Sequence, residues 1–379
     1  MAKLAIIGAS YLQKPLVEVA HRLGHETYCF AWKDGAVCAD ICTRFFDISI
    51  TDCERIAEEC RAIGIDGVCS IASDLAAHTV SYIADALGLV GNPLSISHQC
   101  SDKYAMRRCL DEAGVRVPKY SLIKAGDAQH DEFPVIVKPT DRSGSAGVQL
   151  CYDQNEVEAA VLKASDLSFS KSVIVEEFVQ GAEISVESFS QDGRHRILAF
   201  TDKEVTPLPY FVEMGHHQPS KIQLVDGLEN QCEQVAITAL NALGIQYGAA
   251  HTELLITPSG DIVVVEVGAR MGGDFIGSHL VQLSTGFDYV QAVVEQSLGE
   301  NVDLDSIDVS TKFYAGVYFY TSENYPSPEE WEKVQKCSSF RVGELEENRG
   351  SVQASSERSG YWIYQSPVPL DLRQTTCEI

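Results

Sequence analysis

Short β-branched runs alternate with longer stretches of helical periodicity along the first ninety residues. A strand pattern, LAIIGAS, begins after Lys3. It is followed by a predicted helix over Pro15 to Leu23, a strand over ETYCFAW, a helix over Cys53 to Ile63, a strand over GVCSIA and a helix over Ala76 to Leu87, closing at LVGNP. Strands alternating with helices of this length predict parallel βαβ units. The first strand-to-helix turn, GASYLQKP, lacks a full G-x-G-x-x-G, which favours a tight turn in a support or substrate domain over a dinucleotide site.

From Ser101 to about Gly299 the pattern changes. A helix over Asp102 to Ala113 precedes a strand region ending in FPVIVKP, then the polar, glycine-bearing TDRSGSAGV and another strand. A helix near Glu156 to Lys163 leads to SVIVEEFV and AEISVESFS, read as a pair of strands bent at Gly181. The stretch from about Asp305 to Ile379 is strand-rich, with KFYAGVYFY its clearest run and GELEENRG a solvated charge cluster. No internal repeat or low-complexity segment interrupts these three blocks.

One stretch of the middle block is chemically odd. Pro258, Ser259, Gly260 and Asp261 form a turn cluster between an apolar run ending at Ile256 and a β-branched run starting at Ile262. A hairpin centred between Ser259 and Gly260 pairs Glu253 with Glu266 and His251 with Gly268. Side chains directly opposed on antiparallel strands have Cβ atoms about 4.5–5.5 Å apart, and like charges there are destabilising. A shared proton or a metal ion would compensate, and two hard oxygen ligands with Arg270 four positions on suit Mg²⁺ and phosphate better than zinc. A solvent-facing acidic pair on an edge hairpin is the alternative.

Composition narrows the classes. At 379 residues and 45% apolar content the chain has room for two or three globular domains. No run approaches the ~18 apolar residues that a membrane span needs, and MAKLAIIGAS enters a strand pattern without a signal-peptide layout, so a cytoplasmic location is expected. A formal charge of −25 argues against nucleic acid and anionic membrane surfaces as partners, and it makes local basic residues stand out. The twelve cysteines include no Cys-x-x-Cys pair and are expected to be reduced, packed thiols.

Two basic features fall in the middle block. Lys138 ends the apolar strand Val135 to Val137, so its ammonium must either snorkel or meet an anion. Ser143, Gly144, Ser145, Ala146 and Gly147 then form a loop whose backbone N–H groups could cradle phosphate oxygens. A lysine at a strand end, a Gly/Ser loop and an opposed acidic pair together supply the positive, adaptable and metal-binding parts that a nucleoside triphosphate needs.

The order Lys103, Lys138 with its glycine loop, EEFVQGAE, HTELL and EVGAR resembles the ATP-grasp superfamily, and within it the carboxylate–amine ligases that include bacterial L-amino-acid (dipeptide) ligases. The resemblance covers residues 1 to about 300, because SIASDLAAHTVSYIADALGLVGNP is similar to the end of the domain that precedes the ATP-grasp fold. It implies an α/β chain: a Rossmann-like, parallel βαβ domain over 1–97, a two-lobed α+β ATP-grasp domain over 98–299 with its lid lobe at about 115–180, and a small β-rich region over 300–379. By the same resemblance Lys103 and Lys138 contact ATP phosphates, and Ser143, Gly144, Ser145 and Gly147 close over them. Glu176 accepts from the adenine amino group, the backbone of Glu177 and Val179 frames the adenine edge, and Glu183 binds the ribose. Glu253 and Glu266 hold Mg²⁺, with Mn²⁺ as the alternative ion. Arg270 carries the substrate carboxylate or the transferring phosphoryl group. Many members have Asn two residues after the second glutamate; here that position is Gly268, which puts the Mg²⁺ stoichiometry in question.

The segment Thr206 to Ser220 reads as a loop. Its Glu213 and His216 form a Glu-x-x-His pair that resembles the amino-group site of L-amino-acid ligases, with His216 near the reacting carboxylate or acting as a base; exposure of His216 and His217 to water is the plain alternative. The implied reaction joins small-molecule carboxylate and amine substrates, amino acids first among them, through an acyl phosphate. The implied catalytic residues are Arg270, Glu266 and His216. Two alternatives stay open: another acceptor on the same fold, by carboxylation or other C–N ligation, and a nucleotide-binding module without turnover. A homodimer is compatible with either, and the third block could cap the site or form a subunit contact.

Overall fold

The computed structural model describes residues 1–123, 132–206, 211–321, 325, 327–335, 339–344 and 355–370. Residues 345–350 of the predicted charge cluster and 207–210 of the predicted substrate loop lie outside this set.

The N-terminal domain follows the βα alternation. Strands β1 (Lys3–Ile7), β2 (Glu26–Ala31), β3 (Arg44–Asp47) and β4 (Gly67–Cys69) form one parallel sheet in the order β3-β2-β1-β4. Helix α1 (Lys14–Arg22) connects β1 to β2, a short 3-10 turn at Val37–Asp40 joins β2 to β3, helix α2 (Cys53–Ile63) connects β3 to β4, and helix α3 (Asp74–Leu87) follows β4. Strand β3 was not apparent in the pattern, because RFFD is too short to establish a period. Asp52 caps α2 by accepting from Arg55 N–H, and Gly64 ends it at φ 69°, a left-handed conformation that costs glycine little. Ser73 caps α3 and leaves Asp74 in its first turn, where the helix dipole favours a carboxylate.

Helix α4 (Leu94–Ser101) and helix α5 (Lys103–Glu112), the latter capped by Asp102, lead into a small lobe. That lobe is a sheet of β5 (Tyr120–Ile123), β6 (Val135–Pro139), β7 (Gln149–Cys151) and β8 (Val173–Glu177), ordered β5-β8-β6-β7 and covered by α6 (Gln154–Leu167). Val135, Val137, Val157, Val161, Val173 and Val175 belong to a hydrophobic cluster made of this lobe's own residues. A lobe with a private core can move as one body, as a lid must.

The remaining strands share one antiparallel sheet. These are β9 (Ala182–Gln191), β10 (Arg194–Val205), β11 (Glu213–Gln218), β12 (Gly248–Ile256), β13 (Ile262–Gly268), β14 (Tyr314–Tyr320), β15 (Ser339–Glu344) and β16 (Gly360–Ser366), in the order β13-β12-β9-β10-β11-β14-β16-β15. Helix α7 (Leu228–Leu243) covers one face, where Val186, Ala250, Leu254, Val264 and Val267 form its core with Ala236 and Leu240. Helices α8 (Val281–Thr285), α9 (Tyr289–Ser297) and α10 (Pro328–Gln335) complete the described elements. Tyr289, Val293 and Val294 of α9 share a core with Leu4, Ile6, Leu16 and Val17, so the N-terminal sheet is packed against the large one.

Three expectations change. SVIVEEFV and AEISVESFS are not two strands of one sheet: β8 belongs to the small sheet and β9 to the large one, with the chain crossing between lobes near Gly181. The segment containing Glu213 and His216 is not a loop but strand β11, an inner strand between β10 and β14. The third block adds β14, β16 and β15 to the same large sheet, so the sheet runs through the boundary expected at residue 299.

Candidate active site

Two β-bulges aim the acidic residues. Near the turn β12 and β13 pair as Leu254–Val264 and Ile256–Ile262, a register centred on Ser259 rather than between Ser259 and Gly260. Val265 is an extra residue, and beyond it the pairing becomes Glu253–Glu266 and His251–Gly268. Without the bulge Glu253 would oppose Val265, and Glu266 would point to the other face. A second bulge, at Met214, separates the pairs Glu204–Gly215 and Val205–Glu213. Three residues apart on a regular strand, Glu213 and His216 would point to opposite faces; the bulge brings them to one.

Glu253 and Glu266 thus face each other, as expected, and in the ligand-free protein lysines offset their repulsion. Lys203 Nζ lies 2.6 Å from Glu183 Oε1, 2.8 Å from Glu213 Oε1 and 2.8 Å from Glu253 Oε1, with the lysine side chain 2% exposed. Burial works to lower the Lys203 pKa, but the three carboxylates outweigh it and hold the ammonium well above the usual lysine range. Burial likewise works to raise Glu253, and Lys203 with His251 instead holds it well below the carboxylate range. Glu183, by contrast, is raised by burial that Lys203 only partly offsets. Glu266 pairs with Lys103 at 3.3 Å. His251 completes the row: Nδ1 is 2.5 Å from Glu187 Oε1 and Nε2 is 3.3 Å from Glu253 Oε1. Although burial opposes its charge, Glu187 raises His251 to about 9.

A second cluster sits at the small lobe. Glu176, 3% exposed, receives Lys138 Nζ at 2.7 Å and Arg107 Nε at 2.8 Å. The Arg107 contact is an ion pair without hydrogen-bond alignment, and Arg107 Nη2 has no hydrogen-bond partner among the described residues. Burial would raise Glu176, yet Arg107 and Lys138 hold it below the usual range. Burial lowers Lys138, and Arg107 and Lys103 add to that shift. Both Glu176 oxygens therefore already face cations, and an adenine amino group donating there would share them with Arg107 and Lys138. At the crossing between lobes, Glu177 N–H is given to Lys119 O, while Val179 N–H has no backbone partner among the described residues. In the glycine loop Gly144, Ser145 and Gly147 have φ of 65°, 59° and 77°. Ser145 Oγ donates to Phe211 O at 3.0 Å, tying the loop to the segment before β11, and Lys103 Nζ donates to Arg142 O at 2.6 Å.

The expected substrate residues are also engaged. Arg270 does not present an open fork: Nε donates to Asp74 Oδ1 at 2.8 Å and Nη2 to Asp74 Oδ2 at 3.1 Å. Gly268 permits this, because a Cβ there would lie 3.2 Å from Arg270 Cζ and 3.2 Å from Asp74 Oδ1. His216 is not solvent-exposed; it is fully buried, and both ring nitrogens are without hydrogen-bond partners among the described residues. Its nearest charge is Asp274, with 3.6 Å between Nε2 and Oδ2. Arg358 holds Asp274 through Nη1–Oδ2 at 2.6 Å and Nη2–Oδ1 at 2.7 Å.

Sequence reasoning missed Lys203, Arg107, Asp74, Asp274 and Arg358. Lys203 carried a faint signal as a lone cation in the strand AFTDKEV, but its three partners come from β9, β11 and β12. Arg107 follows Lys103 by one helical turn, which puts both on one face of α5. Asp74 and Arg358 reach the site from blocks far away in the chain and carried no local mark. The ten cysteines described are free thiols, as expected.

No helix among the described residues is long and apolar enough to cross a membrane. Residues 131–278 match the family model of the ATP-grasp domain. Among curated proteins the chain is 31% identical over 253 residues to an uncharacterized protein of Sinorhizobium fredii, covering 64% of this chain and 51% of that protein. It is 25% identical over 297 residues to the alanine–anticapsin ligase of Bacillus subtilis, covering 70% of this chain and 62% of the ligase. The match thus spans between half and two thirds of these relatives' length. Among solved structures, the L-amino acid ligase from Bacillus licheniformis superposes with a TM-score of 0.83 at 24% identity, over 97% of this chain and 94% of the other. Residues 131–278 thus match the ATP-grasp domain, and the chain shares the fold of the L-amino acid ligase.

Proposed function

We propose that the protein is an ATP-dependent carboxylate–amine ligase, forming an amide through an acyl phosphate, with amino acids as the substrate class. The observation that carries this reading is the register that sets Glu253 opposite Glu266 on the cleft face, with Lys103 and Lys203 converging on them. Two facing carboxylates form a hard oxygen donor set suited to Mg²⁺, with Mn²⁺ as the alternative. A divalent ion held by Glu253 and Glu266 would neutralise charge on the β- and γ-phosphates.

The protein's own residues supply position and field. Lys138 and Lys103 bring positive charge to the phosphates, and Val179 N–H with the Glu177 carbonyl frames the adenine edge. Gly144 to Gly147 close over the nucleotide, with Ser145 anchoring the closed loop. Glu183 lies where a ribose hydroxyl could replace Lys203 as its partner. A substrate carboxylate oxygen attacks the γ-phosphorus in line, the bond to the β–γ bridging oxygen breaks, and ADP leaves. The amine nitrogen then attacks the acyl carbon; phosphate departs with the C–O electron pair and takes up the amine proton. Glu213 and His216 orient the amine. Arg270 meets the substrate carboxylate or the phosphoryl group once it exchanges Asp74 for that anion.

The Bacillus relatives support this reading, since both are described as ligases and one as an L-amino acid ligase. The test is a panel of paired carboxylic acids and amino acids with MgATP, following phosphate release and amide mass. Release should rise only with a competent pair and fall by about 10²–10³ or more in Glu266→Gln. One observation favours a second reading, a nucleotide-binding module without turnover: Asp74 closes the Arg270 fork. Tight ATP binding with no release across the panel would select it.

A further inference from the structure

The third block contributes a buried arginine to the site, and this has a consequence for substrate choice. Ligand atoms of Glu213, His216 and Asp274 lie within 4.8 Å of one another. Asp274 is 15% exposed and Glu213 21%, so both carboxylates reach solvent, whereas His216 is fully buried with neither ring nitrogen hydrogen-bonded among the described residues. A buried imidazole with no aligned hydrogen bond among the described residues, 3.6 Å from the Asp274 carboxylate, leaves polar atoms that a bound group would satisfy.

Arg358 fixes the geometry of that space. It grips Asp274 with two parallel hydrogen bonds, donates to the Glu213 carbonyl at 3.1 Å and to Ser355 O at 2.8 Å, and stacks 3.6 Å over the Phe319 ring. Phe319 in turn meets the His216 ring edge to face at 6.2 Å. From the N-terminal domain, Tyr11 packs against Phe275, next to Asp274, with ring centroids 5.9 Å apart. The backbone at Asp274 and Phe275 is held at φ 49° and 67°, a conformation non-glycine residues adopt when the surroundings impose it.

A metal fits this cluster poorly. Both Asp274 oxygens already take Arg358, whereas Glu253 and Glu266 are each paired through one oxygen, so a divalent ion here would meet a carboxylate already gripped on both sides by a guanidinium. Each Asp274 oxygen still has a lone pair for a neutral or singly charged donor.

Resting on the ligase reading above, we propose that Asp274 is a specificity-determining contact of the amine subsite and Arg358 its positioning residue, so that the preferred amine substrate carries a hydrogen-bond donor in its side chain: a hydroxyl, a carboxamide or an ammonium. Glu213 and His216 serve the reacting amino group, and Asp274 is the acceptor left over. An apolar side chain placed there would bury the Asp274–Arg358 pair against hydrocarbon with no bond in return, which sites of this kind reject strongly.

The experiment compares isosteric amines, Thr against Val and Asn against Leu, with the full-length protein and one carboxylate partner, reading kcat/KM by phosphate release and product by mass. At least a tenfold preference for the donor-bearing member of each pair is expected. In Asp274→Asn the preference should shrink to within about threefold, with KM for the amine raised and KM for ATP unchanged. Arg358→Lys should raise the amine KM alone, with an unchanged thermal midpoint; a purely structural role would move both KM values and the midpoint together and would overturn the assignment. Amides formed from Val as readily as from Thr overturn this inference and leave the ligase reading standing. No amide from any pair overturns the ligase reading, and this inference with it.

Discussion

On the small-lobe side of the cleft one buried carboxylate, Glu176, faces two cations, Lys138 and Arg107. On the large-sheet side one buried ammonium, Lys203, faces three carboxylates, Glu183, Glu213 and Glu253. Lys103 stands between them, paired with Glu266 and close enough to Lys138 to help lower its pKa. Neither cluster is neutral alone, and buried uncompensated charge is costly. The small-lobe cluster has positive charge to spare for an anion and the sheet cluster negative charge to spare for a cation. A metal–triphosphate complex would offer both at once, and on the proposed function that is the role of these lysines in a protein of charge −25.

The comparison can be broken at four points, from the largest expected effect to the smallest. Glu266→Gln removes half of the facing pair, and MgATP-dependent phosphate release should fall by about 10²–10³ or more, as when one charge-stabilising group leaves a preorganised site. Lys203→Met strips the cation that Glu183, Glu213 and Glu253 share. Unfolding by denaturant at pH 8 should show a loss of about 3–5 kcal/mol, the scale for orphaning a buried ion pair, with part of the loss recovered in acid as the carboxyls protonate.

The third point is His251. Its folded pKa, about 9, lies above its ordinary value of 6.5, so the stability it contributes is fully present below 6.5 and is lost as pH rises through 9. The ligand-free protein should lose at most about 3 kcal/mol over that window, and His251→Gln should flatten the profile. The smallest effect belongs to Ser145→Ala, which removes one hydrogen bond between the lid loop and Phe211 O, worth about 0.5–1.5 kcal/mol. Stopped-flow release of a fluorescent nucleotide should speed up by no more than about tenfold.

What the sequence disclosed and what it withheld divide along physical lines. Local signals were readable: the βαβ alternation of the first block, the helix beginning near Asp102, the lysine closing the apolar run of β6, and the facing of Glu253 and Glu266. That facing emerged from a turn centre misplaced by half a residue and corrected by the bulge at Val265, so two departures from the assumed geometry cancelled. His216 was read as belonging to a loop because Pro207, Pro209, Gly215 and Pro219 surround it, yet pairing on both sides makes β11 an inner strand. Partnerships spanning long separations, Asp74 with Arg270 and Asp274 with Arg358, left no periodicity to detect. They were also the ones that revised the substrate side of the site.

The bulge at Val265 also constrains how this protein can vary. Side chains on a strand alternate, so adding or deleting a single residue between Glu266 and the β12–β13 turn would swing this acidic group to the α7 side unless the bulge vanished with it. Length changes within this paired stretch should therefore be tolerated in even steps, or in odd steps coupled to loss of Val265. Relatives that shorten it by one residue without that compensation should keep the fold and lose the facing of the two glutamates.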